Sequence, residues 1–113
     1  MGKTGYLGEL EQIVLWVVLR QDGKAYGTPI LNELESRVGR RVTPGALYAT
    51  LDRLQEKGML QSSLADPEPG RGGRRKRYLT VTATGRSALA RTRAAWTQLW
   101  DGIEAIEVVV VAR

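Results

Sequence analysis

Arg71, Arg74, Arg75, Lys76 and Arg77 crowd into one short stretch, and Gly70, Gly72 and Gly73 stand among them. Guanidinium and ammonium groups on a glycine-rich loop suit one chemistry above others, the binding of phosphate oxygens. The glycines matter because a stiff basic tip could not follow a phosphate backbone. A run of charge is often only a solvated loop. Here its setting favours a polyanion contact, because the whole chain is basic. Its 113 residues carry 17 Lys+Arg against 12 Asp+Glu, a formal charge of +5. Small basic domains attract nucleic acid.

Other chemistry is poorly supplied. The chain has no cysteine and no histidine. That removes thiol nucleophiles, disulfides, the usual zinc ligands and imidazole acid–base catalysis together. Glu9, Glu11, Asp22 and Glu33 show no spacing that suggests paired acid–base work. With 42% hydrophobic residues, a chain of this length builds one compact core but not an enclosed substrate cavity as well. No enzyme, metal or cofactor is therefore expected. The longest apolar run, Ile13 to Leu19, is too short to span a bilayer, and the N-terminus lacks an apolar leader. Absence of membrane contact and a cytoplasmic, nucleoid-associated location follow as expectations.

The basic loop needs elements to position it. Leu7, Leu10, Ile13, Val14, Val17 and Val18 recur at helical spacing, and Leu15, Trp16 and Leu19 fill the other faces. Such a helix wants burial on more than one side, in its own core and against a partner subunit. Asp22-Gly23 reads as a turn. A second helix is expected from Gly27 to Val38, with Pro29 in its first turn and Ile30, Leu31, Leu34 and Val38 as its apolar stripe. A third starts at Thr43 as N-cap and Pro44 as first residue, and stops at Gly58. Leu47, Leu51 and Leu54 line its inner face, while Gly45, Ala49, Asp52 and Arg53 point outward and Tyr48 sits at the boundary.

After Gly58 the period becomes two. Leu60, Ser62 and Leu64 predict one strand, Arg77, Leu79 and Val81 a return strand, with the Pro/Gly loop as a long hairpin tip. Thr82 caps a last helix. On it Leu89, Thr92, Trp96, Leu99, Ile103, Ile106 and Val110 follow the alternating steps of a heptad seam. Helical as far as Glu107, it would reach ~35–40 Å, longer than the core requires. That excess asks for a second copy of the chain. The β-branched run Val108 to Val111 disfavours helix.

The predicted fold is mainly α with a small β-hairpin: a winged helix-turn-helix over residues 1–82, its wing at about 60–81, and a C-terminal dimerisation helix and tail over 83–113. In such an arrangement the recognition helix enters a major groove and the basic hairpin reaches the flanking backbone. Thr43, Pro44, Gly45, Tyr48 and Ala49 supply a small, close-approaching face with two hydroxyls. Arg71, Arg74, Arg75 and Lys76 supply the charge.

Four segments, LGELEQIVLWVVL, KAYG, VTPGALYATLDRLQEKGML and GRGGRRKRYLTVTATGR, together resemble the PadR family, the phenolic acid decarboxylase repressor-like regulators. The resemblance covers about Leu7 to Trp100 and points to the branch with a single C-terminal helix. It implies a homodimer that binds double-stranded DNA at an operator and represses transcription, with an effector that can relieve repression. By resemblance, DNA contacts fall on Tyr26 as well as on Thr43, Pro44, Gly45, Tyr48, Arg71, Arg74 and Arg75. In some relatives an aromatic residue on the last helix lines a flat pore at the dimer centre. Trp96 is the candidate here, with Trp100 one turn on, and a planar hydrophobic molecule the expected ligand. The expected dimer interface is Leu10, Val14, Val17, Leu89, Trp96, Leu99, Ile103 and Ile106. The tail from Val108 to Arg113 matches no feature of the family, and Trp16 adds bulk that could close a pore. Tyr26, Tyr48 and Trp96 each also admit a packing role. Two other classes stay open: a winged helix that binds protein rather than DNA, and a small-molecule sensor whose basic wing is incidental.

Overall fold

A computed structural model describes residues 7–65 and 76–103 of the chain. The elements run α1 (Glu9–Gln21), α2 (Gly27–Glu33, extended by one π turn, Leu34–Val38), α3 (Pro44–Glu56), β1 (Leu60–Ala65), β2 (Lys76–Val81) and α4 (Ala83–Trp100). They form a mostly helical domain with a two-stranded antiparallel hairpin, the winged helix expected.

Each helix starts and stops for a local reason. Glu11 reaches back to accept the Gly8 N–H at 2.9 Å and so closes the start of α1. The left-handed Asp22 (φ 44°) and Gly23 (φ 86°) end it. Thr43 Oγ1 accepts the Ala46 N–H at 3.1 Å, which starts α3, and Pro44 follows at the position where its missing N–H costs nothing. Thr82 does double work at the start of α4. Its hydroxyl donates to the Gly58 carbonyl at 2.6 Å and accepts the Gly85 N–H at 3.1 Å.

Val14, Leu15, Val17 and Val18 of α1 meet Ile30 and Leu34 of α2, Leu47, Leu51 and Leu54 of α3, and Leu60, Leu79 and Val81 of the hairpin in one core. The hairpin pairs Leu60 with Val81 at its inner end and Ala65 with Lys76 at its outer end. A rung not expected from the sequence joins it to the start of α2: the Leu79 N–H donates to the Ala25 carbonyl at 2.8 Å. A single residue has no period, so no pattern announced it.

Three expectations change. Val38 is 45% exposed rather than part of the α2 stripe. The wider π turn carries fewer degrees per residue and takes Val38 off the inner face. The last helix ends at Trp100 instead of continuing toward Glu107. Asp101 is extended and Gly102 left-handed (φ 87°), so the helix is ~27 Å long. Finally, Val14, Val17 and Leu89, expected at a subunit interface, lie in the protomer's own core at 0, 2 and 2% exposure. No helix among the described residues is long and apolar enough to cross a membrane.

Gly85 shows how closely α4 docks. A Cβ there would collide with the Met59 carbonyl oxygen and come within 2.7 Å of Val81 Cγ1. Backbone cannot swing aside as a flexible side chain can. Gly85→Ala is expected to cost about 1–3 kcal/mol, as overpacking does. The melting temperature should fall by roughly 5–15 °C in a calorimetric scan.

Candidate nucleic-acid interface

Thr43, Pro44, Gly45, Tyr48 and Ala49 lie together on the exposed face of α3, while Leu47, Thr50, Leu51 and Leu54 are buried behind them. The Thr43 cap fixes the start of the helix, and the space around Gly45 is open to 4 Å. A backbone bearing only hydrogen there can approach a ligand closely.

Tyr48 is half-exposed, and its phenol rests over Gly27 in the first turn of α2; a Cβ at Gly27 would meet the ring carbon beneath the hydroxyl at 3.2 Å. Next to Gly27 stands Tyr26. Its ring meets Tyr78 of β2 edge to face, with centroids 5.6 Å apart. Lys76 Nζ lies 4.7 Å from the Tyr26 ring centroid and donates to its hydroxyl at 3.3 Å. Three elements thus join into one surface: the outer face of α3, the start of α2 and the root of the wing. The sequence singled out Tyr26, Tyr48 and Lys76 separately; the fold brings them onto one continuous surface. Tyr78 was missed as part of it, and so was Gly27, the buried glycine on which Tyr48 rests. Alternation marked Tyr78 only as a strand residue, and Gly27 only as a helix start. Arg71, Arg74 and Arg75 lie outside the described residues, between the strand ends that the Ala65–Lys76 pair brings together.

Several cations elsewhere are committed to carboxylates. Arg40 pairs with Glu9 at 2.9 Å, and Arg41 with Glu35 at 2.9 Å. Arg20 and Arg37 both pair with Glu33, at 3.0 and 2.9 Å, and Gln21 donates to the same carboxylate at 2.8 Å. The Gln21 amide, then the two guanidiniums, hold Glu33 below the usual carboxylate range despite some desolvation. Lys76 differs, since its hydrogen-bond partner is a neutral phenol.

A carboxylate that showed no pairing in the sequence proves well paired in space. Glu11 is 6% exposed and accepts from Lys57 Nζ at 3.0 and 2.9 Å, with Arg53 Nε at 3.5 Å. Burial pushes its pKa up, but the Gly8 N–H, Lys57 and Arg53 outweigh burial and hold it below 4.5. A depressed carboxylate stabilises the fold above its unfolded pKa, and that contribution is lost as pH falls through the folded value. Glu11→Gln should therefore cost about 1–2 kcal/mol near neutral pH, and the gap should close in acid below the unfolded value of 4.5. Urea titrations of both proteins at neutral and acid pH test this; a gap that persists in acid contradicts it.

The far half of α4 presents another surface. Trp96, Leu99, Trp100 and Ile103 are 60, 74, 56 and 57% exposed. Leu10 on α1 is partly buried, and Ile106 lies outside the described residues. Of the residues expected at a subunit contact, Trp96 and Leu99 near the end of α4 and Ile103 just past it therefore keep free apolar surface.

The fold is that of a winged helix protein. The sequence pattern of the PadR-like transcriptional regulators matches residues 14–91. A transcriptional regulator of Mycobacterium tuberculosis is 40% identical over 78 residues, spanning 69% of this chain and 68% of that protein. Among solved structures, a PadR-like transcription factor from Bacteroides fragilis superposes with a TM-score of 0.71 at 26% identity, covering 83% of this chain and 85% of that one. A PadR-family regulator from Clostridium difficile shares the fold with a TM-score of 0.69 at 21% identity, covering 85% and 98%. The chain belongs to the PadR-like family of transcriptional regulators, and it is a regulator rather than an enzyme.

Proposed function

We propose that the protein is a homodimeric repressor that recognises a pseudo-palindromic operator in double-stranded DNA. Residues 1–82 read the duplex, and 83–113 join two copies. Each protomer lays Thr43, Pro44, Gly45, Tyr48 and Ala49 in a major groove. Tyr26 and Lys76 rest on the flanking phosphates, with Arg71, Arg74 and Arg75 beyond them. The observation that carries this reading is the continuity of α3, the start of α2 and the wing root through Tyr48, Gly27, Tyr26 and Lys76. Two copies joined along Trp96, Leu99 and Ile103 would present half-sites about one helical turn apart, ~34–36 Å. Such a protein works in the cytoplasm, at the nucleoid.

The exposed indoles of Trp96 and Trp100 favour an added role for the dimer surface, the stacking of a planar hydrophobic effector. Binding there would relieve repression by changing the angle between the two α3 helices, to the extent that the effector prefers one arrangement over the other.

Salt titration of duplex binding is the test. A phosphate-bound interface weakens with a log–log slope of about −0.9 per neutralised phosphate. A steep slope is expected. A slope near zero would favour a protein-binding winged helix with an incidental basic wing.

A further inference from the structure

Resting on the DNA-binding reading above, we propose that Glu11 is a positioning residue for duplex recognition, holding α3 at the pose in which its first turn can read base edges. What suggests this is a polar path, an ion pair from α1 to Arg53 followed by hydrogen bonds along α3. The Glu11 carboxylate accepts from Lys57, the C-cap of α3, at 2.9 and 3.0 Å and faces Arg53 at 3.5 Å. Arg53 Nη2 donates to the Thr50 hydroxyl at 3.1 Å, and that hydroxyl donates to the Ala46 carbonyl at 2.9 Å. The Ala46 N–H in turn donates to the Thr43 cap. A polar line thus runs from the first turn of α1, across the Glu11–Arg53 ion pair and along α3, to the residue that opens the recognition face.

The apolar anchors of α3 do a different job. Leu47, Leu51 and Leu54 hold the helix on the core through a force that has no direction and tolerates sliding or rolling. A buried carboxylate gains little stability over a well-packed apolar side chain. What it adds is geometry, because its two hydrogen bonds fix where Lys57 must lie, and its charge draws Arg53 to the same side. α3 has 13 residues, so it is ~20 Å long, and a swing of about 5° at its end displaces the first turn by roughly 1.5–2 Å. Hydrogen bonds to bases hold only within about 2.7–3.2 Å, so that displacement breaks them. Phosphate contacts through flexible side chains survive it.

The test uses the full-length protein and two probes: duplexes that the wild type selects from a random library, and scrambled duplexes of the same composition. The readout is the ratio of the two affinities. Glu11→Gln and Lys57→Gln are each expected to lower that ratio by about tenfold, the order expected when one base-edge interaction is broken. Lys57→Arg keeps the bond to Glu11 and should keep the ratio. Binding of Glu11→Gln to scrambled duplex should not weaken, since removing a carboxylate makes the protein more basic. A merely structural role would reduce the folded fraction and lower both affinities alike. An unchanged ratio in both glutamine variants therefore overturns the proposal. Lys57→Gln keeps the test alive if Glu11→Gln does not fold, because the Lys57 side chain is 39% exposed. Failure of the wild type to select any sequence would instead refute the DNA-binding reading on which the proposal rests.

Discussion

Replacing Arg71, Arg74 and Arg75 together by alanine is expected to lower duplex affinity by about two to three orders of magnitude near ~0.1 M salt. If all three neutralise phosphates, the log–log salt slope becomes shallower by about 2.7, at about 0.9 for each phosphate no longer neutralised. The drop in affinity should be similar for selected and random duplex, because phosphates carry no sequence information. Far-UV circular dichroism should not change, since the core is made by other residues. Fluorescence anisotropy of a labelled duplex at several salt concentrations supplies both numbers. An unchanged slope would mean that these arginines face solvent. Lys76, whose ammonium leans on the Tyr26 ring, would then be left to anchor the wing root without them.

Changing Leu99 and Ile103 together to aspartate should separate the subunits. Both side chains are more than half exposed, so the protomer has little to lose. In a dimer each apolar side chain buried contributes about 1.5–3 kcal/mol, and the two-fold axis counts each change twice. Burying four carboxylates in their place is also unfavourable. The dimer dissociation constant should rise more than about a hundredfold, visible by sedimentation equilibrium. Operator affinity should fall with it, because each monomer would then meet its half-site alone, without the high effective concentration that linkage provides. A wild type that sediments as a monomer, or a variant that stays dimeric, would contradict this assignment of α4.

The two surfaces were not equally legible in the sequence. α3 was clear because its signals agree: a Thr43 cap, Pro44 behind it, leucines at 47, 51 and 54, and a stop at Gly58, which is left-handed with φ 74°. The hairpin followed from a change of period. The helix α4 was legible in the sequence, but it ends at Trp100, short of the expected extent. Periodicity cannot tell which protein covers an apolar residue, and Leu89 belongs to its own core while Leu99 is left open. Gly102 then ends the helix, and its local preference for left-handed backbone outweighs a pattern that continues past it. The π turn that moves Val38 outward has no sequence signature of its own. The Glu11 pairing was invisible for a simpler reason: Lys57 stands 46 residues away, and only the packing of α1 on α3 brings the charges together.

The proposed function gives a small domain separate tasks. Phosphate affinity would fall to the wing, base-edge access to a capped helix held by a leucine face and by the Glu11 carboxylate, and subunit contact to the end of α4 that the core does not use. Each can be altered without unfolding the others, so the expected results above are separable.

Operator recognition itself is best tested by selecting genomic fragments with the wild-type protein and footprinting those recovered. The expected result is protected sites built from an inverted repeat, with half-sites about 10 base pairs apart centre to centre, in promoter regions. Recovery of fragments with no shared sequence, bound no more tightly than random duplex, would contradict it.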